Sequence, residues 1–422
     1  MGQASSDEVD VAPAEAPPTE EKPQLRSAER CRVTRGDEEL VVLRDPVGLA
    51  EPFAVDADFS PVLDLLDGQH SMAQIRQSLR FRGFEVEQPD LESFVASLQA
   101  AAWLDDETFR ARWREAHDEF CRASIRPAAH AGVVYADDPA ELARVLGPPP
   151  SLGPRADNGV VGVVCPYQPF EAAPQLYRRL IHTLPDPRGL EAIVVIGTDL
   201  GRGRLPLALS NKPYETPLGV VPVAAEVSRA LATRCPWIER EQWRHRAALS
   251  TEIAAVVLAQ AYGRECPGVV PLLCGRTAAS DDGESETEAF LAAAEALLGS
   301  MRVLWFVVAE LSHVGPAFGG GRLTPELLER VHDRDREVIA ACSGDVVARR
   351  VVKALDRAHE AGPLSSAPTL NVAAQLLPVG CRGELLDLAR IPAVGEAPGE
   401  VTIATLAFRQ RPSAGNGGRH RA

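Results

Sequence analysis

The chain has almost no lysine, no paired cysteines and no long apolar run, and each shortage removes a class of reading. Lysine occurs only at 22, 212 and 353 of 422 residues, while arginine, alanine and proline are abundant. That bias fits a GC-rich bacterial genome and bears on source alone. The net charge is −15, with no basic block outside residues 409–421, so neither nucleic acid nor an anionic membrane is expected as a main partner. The eight cysteines (31, 121, 165, 235, 266, 274, 342 and 381) form no C-x-x-C pair. Zinc-ribbon and thioredoxin-type motifs are therefore excluded, and free thiols in a reducing cytoplasm are predicted. No stretch approaches the roughly 20 apolar residues of a membrane helix, and the N-terminus lacks the charged-then-apolar pattern of a secretory signal. Met1-Gly2-Gln3-Ala4-Ser5-Ser6 fits the short myristoylation pattern, which bacteria generally cannot use, and is read as chance. Walker A, G-x-S-x-G and Rossmann fingerprints are missing as well; Gly197-x-x-x-Gly201-x-Gly203 has the wrong spacing.

What is present suffices for two domains: the chain is 45% hydrophobic over its 422 residues. Residues 1–27 hold Asp7, Glu8, Asp10, Glu15, Glu20 and Glu21 against Lys22 and Arg26, too little apolar surface to offset ordering entropy, and are expected to be disordered. The Gly-rich end, 411–422, is expected to fray. Residues 28–105 read as one strand (39–43), a turn at Asp45-Pro46-Val47-Gly48 and three short helices. Asp58 or Ser60 caps the first helix, Ser71 starts the second and Asp90 the third. This small winged-helix-like α+β unit resembles the PqqD-like domains in Leu43-Arg44-Asp45-Pro46, Leu65-Leu66-Asp67-Gly68 and Leu98-Gln99-Ala100-Ala101-Ala102-Trp103-Leu104. The resemblance implies peptide or protein binding by strand addition. A winged helix also raises DNA, but Arg76, Arg80 and Arg82 are followed at once by Glu85, Glu87, Asp90 and Glu92, and phosphate contact needs an uncompensated positive face. A third reading is a domain that only packs on its neighbour.

Residues 106–125 read as a linking helix with Phe109, Trp113 and Phe120 on its apolar side. The large domain, 126–410, then alternates apolar β-branched runs (159–165, 191–197, 268–274, 302–311) with helical stretches (172–184, 224–234, 250–262, 286–300). Continuous apolar strands between helices predict a sheet covered on both faces, an α/β sandwich completed by helices at 325–341 and 345–359 and strands at 385–391 and 401–409. Residues 278–285 are expected to form a mobile insert.

Functional groups of such sheets gather beyond the carboxyl ends of the strands. The exits read Cys165-Pro166-Tyr167-Gln168-Pro169, Gly197-Thr198-Asp199-Leu200-Gly201, Cys274-Gly275-Arg276 and Val308-Ala309-Glu310-Leu311-Ser312-His313-Val314-Gly315. Three further segments matter: Tyr214-Glu215-Thr216-Pro217-Leu218-Gly219, Leu249-Ser250-Thr251-Glu252 and Leu364-Ser365-Ser366-Ala367-Pro368. With the opening Arg126-Pro127-Ala128-Ala129-His130-Ala131-Gly132-Val133-Val134-Tyr135, they resemble the Memo family, whose bacterial members are often called AmmeMemoRadiSam system protein B. The resemblance runs over residues 126–409 and implies an α/β sandwich like that of the class III extradiol dioxygenases. It also implies a metal site of clustered histidines and a cysteine, at positions that here read Tyr167, Leu200, Leu249 and Leu364. Aliphatic side chains have no lone pair for a cation, so a degenerate site without a cofactor is expected, in a protein that binds a small ligand or partner without catalysis. What stays polar is Asp199, Glu252, Glu310 and His313, with Tyr167 nearby. The alternative is a metal-dependent redox enzyme holding iron or copper through Glu310, His313 and Asp199. Outside the cleft, His245 between Arg244 and Arg246 is expected to be solvated, and His332 to lie on an exposed charged helix. Gly319-Gly320-Gly321 ahead of Thr324-Pro325 reads as a flexible connection to a well-capped helix, the alternative being a helix N-terminus that meets an anion.

Overall fold

The computed structural model describes residues 22–35, 38–45, 47–150, 158–200, 203–275, 282–360, 364–393 and 397–410. The tail 1–21, the end 411–422 and the first half of the expected insert (278–281) lie outside them, while 282–285 begin a helix. The chain divides into two compact units, Met1–Arg26 with Asp58–Arg110, and Ser27–Ala57 with Ala111–Ala422.

Within the larger unit, β1 (Glu29–Arg35), β2 (Glu38–Arg44) and β3 (Phe53–Asp56) form an antiparallel sheet in that order. Three strands stand where the sequence predicts one. The others escape a pattern search because β1 is rich in charge and β3 is only four residues long. The sheet rests on neighbours in the same unit: Arg246 donates to the Gly48 carbonyl at 3.0 Å, and a Cβ on Gly319 would lie 3.3 Å from the Arg30 carbonyl.

The smaller unit holds α1 (Ser60–Leu65), α2 (Met72–Phe81) and α3 (Gln88–Ala100). Ser71 caps α2 as the sequence predicts: its hydroxyl accepts the Gln74 N–H and the Gln74 amide oxygen accepts the Ser71 N–H. Helix α3 starts two residues before Asp90, with a proline in its first turn. Pro23–Arg26, within the stretch whose composition predicts disorder, is instead tied by backbone hydrogen bonds to Leu66, Gly68, Trp103 and Asp105.

Helix α4 (Glu107–Arg122) belongs to the smaller unit up to Arg110 and to the larger from Ala111. The larger unit continues with α5 (Pro139–Leu146), β4 (Val160–Cys165), α6 (Pro174–Thr183), β5 (Ala192–Asp199), β6 (Leu207–Leu209), β7 (Tyr214–Thr216), β8 (Gly219–Val221), α7 (Ala225–Arg234), α8 (Leu249–Tyr262), β9 (Val269–Gly275), α9 (Asp282–Leu298), β10 (Val303–Val308), β11 (His313–Val314), α10 (Pro325–Cys342), β12 (Gly344–Asp345), α11 (Ala348–Glu360), α12 (Ala367–Leu376), β13 (Arg382–Pro392) and β14 (Glu400–Arg409). Nine strands make one mixed sheet in the order β12-β13-β14-β4-β10-β5-β9-β6, with β11 beside β14. Strands β4, β10, β5 and β9 are parallel, so their carboxyl ends share one edge. Alternate residues enter two cores. Val194, Ile196, Trp305 and Val307 pack with residues of α7, α9 and α12, while Ile193, Val195, Phe306 and Val308 pack with α6 and α8. This is the expected α/β sandwich, with both faces covered. No described helix is long and apolar enough to cross a membrane.

Candidate functional site

Glu310 lies two residues past β10, its side chain wholly buried. One carboxylate oxygen accepts the Tyr167 N–H at 2.8 Å; the other accepts the Gln168 amide at 2.8 Å and stands 3.0 Å from His313 Nε2. The structure thus joins Glu310, His313 and the β4 exit. Tyr167 contributes through its backbone N–H, while its side chain is buried in the core beside α6 and α8. His313 keeps a fifth of its side chain exposed and meets the Phe318 ring edge-on. The Tyr177 hydroxyl donates to the Gln168 carbonyl at 2.7 Å and fixes the same turn. Burial, then the Glu310 charge, raises the neighbouring Cys165 thiol well above its ordinary value, so it is no ready thiolate.

Asp199 ends β5 and is claimed by Arg244, whose Nε donates at 2.7 Å and whose Nη2 makes a second short contact to the same oxygen. The guanidinium continues to the Leu205 carbonyl and to Glu241. Burial works against this cation, but Asp199 and Glu241 outweigh it and raise its pKa.

Glu252 sits in the first turn of α8 without any exposed surface. One oxygen accepts the His130 N–H at 2.9 Å and the Tyr135 hydroxyl; the other pairs with Arg126 and with His130 Nδ1 at 2.9 Å. Burial pushes this carboxyl up, yet His130, Arg126 and Tyr135 prevail and hold it at about 2. Arg126 is itself fully buried and donates also to the carbonyls of His245, Pro127 and Ala248. His130 carries no strand or helix pattern of its own. Its only signal in the sequence is its place in the segment 126–135, whose three polar side chains converge on one carboxylate.

Two histidines are placed otherwise than the sequence predicts. His245 is wholly buried, not solvated: Nε2 faces the Ala208 carbonyl at 3.0 Å and Nδ1 the Tyr214 hydroxyl at 2.7 Å. Arg244 and Arg246 on either side point elsewhere, to Asp199 and to Gly48. His332 is half-buried and lies 2.6 Å from Glu400, on a helix that buries Val331, Arg334, Asp335 and Val338. The glycine run does lead to a capped helix, since the Thr324 hydroxyl accepts the Leu327 N–H.

The donor set does not fit the histidine- and cysteine-rich metal site that the resemblance implies. Leu364 is buried and Leu200 is exposed, while Asp199 and Glu252 already carry cationic partners. Among the described residues, no three His, Cys, Asp or Glu side chains form a group able to hold a metal ion.

A family model described as "Memo-like protein" matches residues 126–352. Curated relatives include a "MEMO1 family protein" of Aquifex aeolicus, 21% identical over 186 residues, covering 44% of this chain and 49% of the relative. Another, from Desulfurococcus amylolyticus, is 24% identical over 156 residues, covering 34% of this chain and 55% of the relative. The aligned region thus spans about half the length of each relative. With more than half of its residues inside the family match, the chain belongs to the Memo-like protein family.

Proposed function

We propose that this Memo-family protein has a degenerate metal site and acts without catalysis, its large domain binding a small ligand or a protein partner at the carboxyl edge of the sheet. One observation carries the reading: the acidic groups left at that edge are committed to donors of the chain itself. Arg126, His130 and Tyr135 hold Glu252, and Arg244 holds Asp199. A carboxylate so neutralised has little negative potential left for a cation, and freeing it would leave a buried arginine unpaired. The competing reading, an iron- or copper-dependent redox enzyme with dioxygenase-like activity, draws on Glu310 and His313, which meet at 3.0 Å with the imidazole partly exposed. Metal analysis of the purified protein separates the two. Substoichiometric iron and copper are expected; a full equivalent that disappears on His313→Ala would establish the competing reading instead.

The N-terminal elements take the PqqD-like role in this proposal, contacting a peptide or protein in the cytoplasm. The support is an edge strand: β3 pairs with β2 on one side and with no other strand among the described residues, and a sheet edge is where a peptide adds as a further strand. A binding screen against peptides encoded beside the gene tests this. Absence of binding to every such peptide would leave the N-terminal elements with a packing role only.

A further inference from the structure

We infer that four buried hydroxyl groups cross-link the strand exits where the family resemblance implies a metal, so that this chain closes the open edge of its sheet by hydrogen bonds. The inference rests on the degenerate-site reading and extends it from what the site has lost to what replaced it. The groups are Thr198, Ser250, Ser366 and Thr369, all within 3% of complete burial. Each of the first three lies within two residues of a leucine at an expected ligand position: Leu200, Leu249 and Leu364.

The donors and acceptors balance. The Ser250 hydroxyl donates to the Thr198 carbonyl at 2.7 Å, tying α8 to β5. The Thr198 hydroxyl donates to the Val308 carbonyl at 2.8 Å, tying β5 to β10. Ser366 lies 3.0 Å from Thr198 Oγ1, which has lone pairs left to accept its proton, and Ser366 itself accepts the Glu310 N–H at 2.9 Å. Thr369 donates to the Cys274 carbonyl at 3.2 Å, tying α12 to β9, and stands 3.2 Å from Thr198. Four hydroxyl protons thus meet four acceptors and join three parallel strands to two helices. A metal ion binding several strand exits would perform the same mechanical task. In this network Gly197 makes room for the Ser250 hydroxyl, since a Cβ there would fall 2.6 Å from it.

The neighbour Ser365 supplies an internal control. Its hydroxyl is buried but has no hydrogen-bond partner among the described residues, so Ser365→Ala removes an oxygen from the same loop without touching the network. The experiment compares wild type, Ser366→Ala, Thr198→Val and Ser365→Ala by thermal unfolding, each with and without EDTA. Hydrogen exchange of the Glu310 amide is followed in parallel. For a unit of this size we expect Ser366→Ala and Thr198→Val to lower Tm by about 3 °C or more, Ser365→Ala to stay within about 1 °C, and EDTA to change none of them. Glu310 N–H exchange should accelerate in Ser366→Ala, which deletes its acceptor, and not in Ser365→Ala. Thr198→Val keeps the side-chain volume and serves if Ser366→Ala does not fold. Network variants as stable and as slowly exchanging as Ser365→Ala would overturn the inference and leave the binding reading standing. A Tm that falls with EDTA and returns with one equivalent of iron(II), copper(II) or zinc(II) would overturn both.

Discussion

Acid stability gives the sharpest measure of the buried polar groups, and His245 should dominate it just below neutrality. The imidazole is fully buried, and its two nitrogens are committed to the Ala208 carbonyl and the Tyr214 hydroxyl. A carbonyl only accepts, so Nε2 carries the proton and Nδ1 accepts from tyrosine. Burial, with Arg126 and Arg244 nearby, pushes the pKa down to about 3 from an ordinary 6.5. The sign follows directly. Above pH 6.5 both folded and unfolded chains hold a neutral ring, and the native state bears no penalty. As pH falls from 6.5 towards 3, only the unfolded chain takes up the proton, so stability is lost at about 1.4 kcal/mol per pH unit. By pH 5 the loss is about 2 kcal/mol, a large share of a typical folding free energy of about 5–15 kcal/mol. His245→Gln keeps one donor and one acceptor but removes the titration. Urea unfolding of both proteins at pH 7.5 and pH 5 should show wild type losing about 2 kcal/mol more than the variant over that interval. Whatever the substitution costs at pH 7.5 cancels in the difference. The opposite trend from Asp335, whose pKa burial raises, is common to both proteins and cancels too. Equal pH dependence would refute the argument that burial keeps His245 neutral.

Two further substitutions probe the same edge of the sheet. Glu252→Gln strands the buried Arg126 and should cost about 3–5 kcal/mol in urea unfolding at neutral pH; it should also abolish the part of stability that wild type loses as pH falls from 4.5 towards 2. A variant within about 0.5 kcal/mol of wild type would show that the cluster is slack. Gly197→Ala places a Cβ 2.6 Å from the Ser250 hydroxyl and 2.7 Å from a Thr251 methyl, so α8 must shift, at about 1–3 kcal/mol by chemical denaturation; unchanged stability would refute the close approach.

The scaffold was legible because burial on two faces leaves a plain trace in the sequence. Strands β4, β5, β9 and β10 lie within a few residues of the apolar runs predicted for them, since every position of a doubly covered strand must be apolar. Helix α8 lies where the helical stretch 250–262 is predicted, but it is buried on nearly all sides rather than on one face. What escaped were elements too short or too charged to leave a period: β1, β3 and the three-residue β6. Of these, β1 and β3 pair with their sequence neighbour β2, and only β6 depends on a remote partner, β9.

The candidate site was half legible for a related reason. A carboxylate at a strand exit is visible in the sequence, but the group that neutralises it is not. Arg244 stands 45 residues from Asp199, and Arg126 stands 126 residues from Glu252. Read locally, both acids look like available ligands. His245, flanked by two arginines, looks like part of a solvated basic run. Three-dimensional pairing reverses each reading, because a buried charge or polar group must find its partner wherever the fold supplies one. An acid at a strand exit is therefore not free to bind a cation merely because it lies there. In this chain Glu252 and Asp199 hold arginines, Glu310 holds a backbone N–H, an amide and a histidine, and the hydroxyls of Thr198, Ser250 and Thr369 join the strands. Glu310 with His313 is therefore the pair on which the proposed non-catalytic reading and the metal reading make opposite predictions. His313→Ala tests that pair without disturbing the arginine-bound acids.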